Sequence, residues 1–325
     1  MSRWHLHRYQ APLTKALPLG QNTLHHREGL ILSGNGICVE IAPLPEFSKE
    51  SLADCVSALT RTREHLNAER LPLPLNEWMA PFALVPPAVA WGLSLLWAKA
   101  NQLLPARLNS QRQPLLHGDS NQIAEQLKAL PSDTLQVKLK ASPNVERTVQ
   151  QVYQVLEQLP KARFRIDANQ SLSFEQAEQL YAMLPKAHID YIEEPTASIA
   201  EAQRLFDLFG IRYAVDETLV SQGDFQVHDG LVALVIKPML LGSLERLDAI
   251  ADKAQHCGVS VVISASFESS LGLNDLGKIA EHYAPSGIMG LDTLGAFASD
   301  IAEANGFGFN DRPLLTIDEL HPVWP

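Results

Sequence analysis

From about residue 113 the chain alternates short apolar runs with amphipathic segments. The runs are "PLLHG" (114–118), "QVKLK" (136–140), "RFRID" (163–167), "IDYIE" (189–193), "RYAVD" (212–216), "ALVIK" (233–237), "VSVVIS" (259–264) and "IMGLD" (288–292). Between them lie segments such as "ERTVQQVYQVLEQL" and "FEQAEQLYAML", whose apolar residues recur at helical spacing. Ser173 and Gln176 have the spacing of a capping box at the start of the latter. Starts of the first seven runs lie roughly 20–27 residues apart, the period of a repeating strand–helix unit. Eight strands alternating with helices predict an α/β fold, a (β/α) barrel rather than an open sheet.

The first hundred residues have another pattern. "GLIL-SGNG-ICVEI" is two apolar runs around Asn35-Gly36, which predicts a hairpin. Ser48 then opens a predicted helix, with Leu52, Cys55, Val56, Leu59 and Leu66 along one face. The uncharged stretch 80–98, "APFALVPPAVAWGLSLLWA", is about long enough to span a bilayer, but Pro81, Pro86 and Pro87 break its front half. It reads instead as a buried helix from Pro87 to about Asn101. His5 and His7 fall on an alternating strand and His25-His26 in a loop over 17–28. These histidines take surface or packing roles, and the loop is placed to cap a site. The N-terminus carries no apolar core of a signal peptide.

Composition narrows the function. The chain has 325 residues, 46% hydrophobic and 19% charged, with a formal net charge of −11 and no basic patch. That excludes nucleic acid as an expected partner. Cys38, Cys55 and Cys257 are far apart with no C-x-x-C, so neither a disulfide framework nor a cysteine zinc site is expected. A reducing, cytoplasmic setting fits.

The strand ends carry the chemistry. "QVKLK" ends in Lys140, "FRID" in Asp167, "DYIE" in Glu193, "YAVD" in Asp216 and "LVIK" in Lys237. In a barrel these ends form the active face, and neighbouring strands lie about 4.8 Å apart. Three carboxylates brought together repel one another unless a cation is present, and an oxygen-only donor set favours a hard ion such as magnesium. Lys140 and Lys237 flank the carboxylate block, so each is placed to act on a metal-bound carboxylate substrate, one as general base. Strand side chains alternate, so Lys138 shares the face of Lys140 one step deeper. It is expected to depress the pKa of its neighbour by like-charge repulsion. A Schiff-base aldolase barrel would use a lysine but would not need the carboxylates. A barrel that only binds metal would not need the lysines.

The K-x-K of 138–140, "DAN" (167–169), "EEP" (193–195), "DET" (216–218) and "IKP" (236–238) together resemble the enolase superfamily, in its muconate-lactonising branch. A lysine base with magnesium is already the general scheme of that superfamily. "APLPEFS" (42–48), "RIDANQ", "YIEEP", "VDETL", "VIKPMLLGSLE", "ISASFESSLGL" and "GLDTL" are similar, more closely, to the o-succinylbenzoate synthase family in its short proteobacterial type.

The resemblance implies an α+β capping domain (1–105) over a modified (β/α)7β barrel (106–302), with the glycine-rich segment from about 303 to 325 returning to the capping domain. It implies a lyase that dehydrates 2-succinyl-6-hydroxy-2,4-cyclohexadiene-1-carboxylate to o-succinylbenzoate through an enediolate, in menaquinone biosynthesis. The cofactor implied is Mg2+, with Mn2+ as a substitute. Asp167, Glu193 and Asp216 are then the metal ligands, and Lys140 is the base. Lys237 stabilises the enediolate from the opposite face. Lys138, Asn169, Glu194 and Glu217 support this ring, and Ser264, Ser266, Gly290 and Asp292 line the substrate pocket. Two departures concern substrate fit. The second hairpin strand reads "ICVE" where the family often has Gly-Trp-Gly-Glu, and Ser171, two residues after Asn169, differs. An N-acylamino acid racemase or dipeptide epimerase of the same superfamily would share the two lysines and the metal.

Overall fold

The computed structural model describes residues 4–19, 22–68, 73–105, 113–283, 289–302 and 312–324. Strands β1 (His5–Leu19) and β2 (Asn22–Gly34) form a long antiparallel hairpin, and β3 (Ile37–Ile41) follows. Asn35 and Gly36 make the β2–β3 turn with φ 54° and 75°, the left-handed pair that Asn-Gly adopts at little cost. Leu17 pairs with Leu24 and Pro12 with His26, so most of 17–28, expected as a loop, is strand, and His25 and His26 are strand residues. The residues on either side of Leu24 are exposed, so no apolar alternation marked this end of β2 as a strand.

Helix α1 (Leu52–Ala68) is capped by Ser51, not by Ser48. The Ser51 Oγ accepts the Asp54 N–H at 3.2 Å, and Asp54 Oδ2 accepts the Ser51 N–H at 2.8 Å. Ser48 Oγ instead accepts the Leu44 N–H at 2.8 Å and closes the turn before the helix. After α2 (Leu75–Met79), α3 (Pro87–Ala100) begins with Pro87 at its first position and buries Trp91, Leu93, Leu95 and Leu96, as its sequence predicted. Gly92 lets this helix approach β3, because a Cβ there would lie 2.3 Å from Ile41 Cγ1.

The strand–helix repeat then runs β4 (Leu115–Leu116), α4 (Ser120–Lys128), β5 (Gln136–Lys140), α5 (Val145–Gln158), β6 (Arg163–Asp167), α6 (Phe174–Met183), β7 (Ile189–Glu193), α7 (Ile199–Phe209), β8 (Tyr213–Val215), α8 (Glu217–Gln222) and β9 (Leu231–Ile236). It continues with α9 (Pro238–Leu241), α10 (Leu244–His256), β10 (Ser260–Ile263) and α11 (Ser270–Tyr283), and β11 (His321–Trp324) follows. Within this repeat, side-chain caps start α4 (Asp119), α5 (Asn144), α6 (Ser173) and α7 (Ser198). The Ser173–Gln176 capping box is present as the spacing predicted.

The described residues divide into two compact units, the first within 1–112, 237–252 and 263–325, the second within 113–236 and 253–262. The first holds a four-stranded antiparallel sheet ordered β11-β1-β2-β3. Residues 106–112, at the expected division of the chain, and 303–311, in the expected returning segment, lie outside the described set. The second unit is built on seven parallel strands in sequential order, β4 to β10, the barrel-type repeat the sequence predicted. The eighth run is only partly described. Ile288 lies outside the set, and Gly290 makes a single parallel bridge to Ser264 rather than a full strand. No described helix is long and apolar enough to cross a membrane.

The parity of β5 sets up the site. Val137 and Leu139 are fully buried among Phe164, Ile166 and Ile192 of the sheet and Val152, Val155 and Leu180 of the helices. Burial of each such side chain contributes roughly 1.5–3 kcal/mol, enough to fix which face of the strand turns inward. Lys138 and Lys140 are thereby committed to the opposite face.

Candidate active site

Strand register brings the first charges into a row. Lys140 pairs with Asp167 across β5 and β6, and Asp167 with Glu193 across β6 and β7. The Lys138 ammonium lies 3.0 and 2.9 Å from Glu193 Oε1 and Oε2 and 2.9 Å from Asp167 Oδ2. Lys140 Nζ is 2.7 Å from Asp167 Oδ2 and donates to Asn169 Oδ1. The lysine side chains differ in access, 14% exposed for Lys138 and 41% for Lys140. Only Lys140 is open enough to meet a ligand. Lys138 is a strut between two carboxylates.

Burial alone would push the Asp167 carboxyl up, but the Lys138 and Lys140 ammoniums outweigh it and hold the group far below the usual carboxylate range. Burial likewise opposes charge on Lys138, yet Asp167 and Glu193 raise its pKa well above the ordinary value. The lysine expected to repel Lys140 is thus compensated by two anions, and repulsion is not its main effect. Lys138→Met is expected to lower the melting temperature by several degrees without divalent metal, because breaking a buried pair costs about 3–5 kcal/mol. Added magnesium should restore much of the loss by supplying the missing positive charge. Melts with and without the ion check this, and a loss that magnesium leaves untouched would contradict it.

Glu194 is fully engaged. Its Oε1 accepts the N–H groups of Asp216 and Thr218, each at 2.7 Å, and its Oε2 accepts Thr218 Oγ1–H and Gln170 Nε2–H, each at 2.8 Å. Four donors on one carboxylate fix the main chain on which Asp216 stands. Asp216 itself lies one residue past β8, at the cap of α8. Asn169, Gln170 and Glu194 all have left-handed backbones, with φ 44°, 57° and 44°. Such conformations persist in non-glycine residues when surrounding bonds hold them, as here. Asn169 receives Lys140, donates Nδ2–H to Glu217 Oε1 at 2.9 Å and gives its N–H to Asp167 Oδ1 at 3.1 Å. Glu194→Ala leaves two buried N–H groups without acceptors. It should cost about 3–5 kcal/mol in urea unfolding and weaken metal binding roughly 10–100-fold in titration calorimetry.

Among the described residues no three His, Cys, Asp or Glu side chains are drawn close enough to hold a metal ion as they stand. The donor chemistry nevertheless fits one. Asp167, Glu193 and Asp216 are 2%, 1% and 1% exposed, all carry oxygen, and sit at the ends of three adjacent strands. Buried carboxylates in this number call for positive charge, and all-oxygen donors suit a hard divalent cation.

The remaining expected residues belong to the first unit. Lys237 directly follows β9 and precedes α9. Ser264 is buried, and its Oγ donates to Gly290 O at 3.2 Å. Ser266 is fully buried, and Asp292 is half-buried. Sequence reasoning passed over Gln170 and Thr218 as partners of Glu194. Thr218 stood within the quoted "DET", but nothing local says that its hydroxyl turns back to a carboxylate 24 residues earlier.

Residues 1–100 match the family described as MenC, N-terminal domain, and residues 122–276 match the Enolase C-terminal domain-like family. The chain is 34% identical to an o-succinylbenzoate synthase of Pectobacterium atrosepticum and 33% identical to one of Yersinia enterocolitica, each over 98% of both chains. Among solved structures it resembles an o-succinylbenzoate synthase of Thermosynechococcus elongatus with magnesium in its active site (TM-score 0.70, 22% identity, 97% and 96% covered). It also resembles an N-succinyl Arg/Lys racemase of Bacillus cereus (TM-score 0.76, 16% identity, 99% and 93% covered). With residues 1–100 and 122–276 matched by these two families and relatives above 30% identity along nearly its whole length, the chain belongs to the o-succinylbenzoate synthase family of the enolase superfamily.

Proposed function

We propose that this protein is a divalent-metal-dependent lyase that dehydrates 2-succinyl-6-hydroxy-2,4-cyclohexadiene-1-carboxylate to o-succinylbenzoate, in the cytoplasmic synthesis of menaquinone. The supporting observation is the Lys140–Asp167–Glu193 row in a chain alike over 98% of its length to synthases of that name. Asp167, Glu193 and Asp216 would hold Mg2+, with Mn2+ as a substitute. When bound, the ion neutralises the substrate carboxylate and so acidifies the adjacent C–H.

Lys140, in its amine form, takes the proton from that carbon. The electron pair of the broken C–H bond becomes a ring double bond, and the C–O bond of the 6-hydroxyl breaks. The hydroxyl leaves as water with the proton that Lys140 carries, so the lysine returns to its starting state and the ring is aromatic. Asn169 and Asp167 orient the lysine. Lys237, in the family motif that follows β9, is assigned a stabilising positive charge.

The test is an ultraviolet assay of the purified protein with magnesium and the cyclohexadiene acid. An alternative within the superfamily is racemisation of N-acylamino acids or dipeptides, since the B. cereus racemase shares the fold. If N-succinyl amino acids exchange deuterium and racemise while the cyclohexadiene acid is untouched, the racemase reading replaces this one.

A further inference from the structure

Four titratable groups of the first unit are buried together: Tyr9 on β1, Arg27 on β2, Glu40 on β3 and Glu268 just ahead of α11, none more than 1% exposed. Gly272 makes room for them, since a Cβ there would lie 2.5 Å from Glu40 Oε2 and 2.7 Å from Glu268 Cβ. Glu40 meets only donors. They are the Tyr9 hydroxyl, the Ser269 N–H at 3.1 Å, the Ser269 Oγ–H at 2.6 Å and the Gly272 N–H at 3.0 Å. Burial pushes the Glu40 carboxyl up, and these donors with the Arg27 charge oppose it by favouring the anion. Arg27 is the cation facing both glutamates, and it spends its N–H groups on main-chain carbonyls, including Phe267 O at 2.9 Å, Pro43 O at 2.8 Å and Ser266 O at 3.4 Å. One guanidinium compensates one anion. Glu268 Oε2 accepts the Ser266 N–H at 2.5 Å, while its Oε1 has no hydrogen-bond partner among the described residues.

We propose that Glu268 is the protonated member of this buried glutamate pair and thereby acts as a positioning residue for the Ser264–Phe267 turn. Burial, and then the charge of Glu40, push its carboxyl up to about 7 against the pull of Arg27. Phe267 sits at φ 59°, a conformation that has to be held. With Glu268 neutral, Arg27 is left to grip the Ser266 and Phe267 carbonyls. Once ionised, Glu268 repels Glu40 and competes for Arg27, and the turn loosens. Two further charges of the first unit are engaged elsewhere: Asp300 accepts from Ser270, and Asp275 is paired with Lys99 at 2.8 Å. A carboxyl raised on folding stabilises below its unfolded pKa, and that stability drains away as pH rises through about 7.

The test compares wild type with Glu268→Gln, a permanently neutral mimic. Between about pH 5 and pH 8 the wild-type melting temperature should fall about 5 °C more than that of the variant. Over the same range the wild-type KM should rise relative to that of Glu268→Gln. This kinetic arm rests on the proposed function and on Ser264 and Ser266 lining the substrate, whereas the melting arm does not, so the two readings fail separately. Parallel melting profiles overturn the proposal. Should the variant not fold, infrared titration of wild type decides: a buried carboxylic-acid band at pH about 6 that vanishes by about 8 supports it, and no such band refutes it.

Discussion

Replacing Lys140 by alanine is expected to lower kcat/KM by at least about a thousandfold while leaving the fold intact. A positioned general base contributes roughly 10²–10⁴ in rate, and the change also removes the proton that assists departure of the hydroxyl. Stability should hold, because the side chain is 41% exposed and Asp167 keeps its contact with Lys138. The ultraviolet assay reads the rate, and a thermal melt reads the fold. Activity within tenfold of wild type would remove Lys140 from the base role and leave Lys237 as the candidate.

Stripping divalent metal is the second large perturbation. With EDTA, turnover should drop to background and return on adding excess magnesium, and Asp216→Asn should need far more of the ion to recover. Asp167, Glu193 and Asp216 are buried carboxylates, and Asp167 and Glu193 share the Lys138 ammonium. A cation that binds only the folded form adds about 2.7 kcal/mol at a hundred times its Kd, so the melting temperature of the metal-free protein should climb as magnesium is added. Turnover and melting that ignore both chelator and magnesium would exclude the three carboxylates as a metal site.

Much of this was legible before any coordinates. The alternation in "QVKLK" committed two lysines to one face because Val137 and Leu139 had to be buried, and the structure keeps that parity. Charges at successive strand ends named Asp167 and Glu193 because parallel strands in register put equivalent positions side by side. What escaped was set by partners distant in the chain. Lys138 looked like a neighbour of Lys140 in sequence, but its environment is decided by Glu193, 55 residues away. Glu194 stands beside Glu193 in sequence, whereas its four donors come from the loop after β6 and from the start of α8. The tip of the β1–β2 hairpin was read as loop because the side chains beside Leu24 face solvent and carry no periodic signal. The cluster of Tyr9, Arg27, Glu40 and Glu268 joins four stretches that have nothing in common locally.

The pairing of β1 with β11 bears on the order in which the chain assembles. Leu6 lies opposite Trp324, and Arg8 opposite His321. A ribosome releases β4 to β10 with each strand next to its predecessor, so that sheet can zip up while synthesis continues. The sheet of β1, β2 and β3 lacks its fourth member until β11 has emerged, after all of β4 to β10. Until then β1 presents an open row of main-chain donors and acceptors, the kind of edge that recruits strands from other molecules. The segment carrying β11 therefore works as a late-arriving cover, and nascent chains arrested before it are the ones most exposed to aggregation.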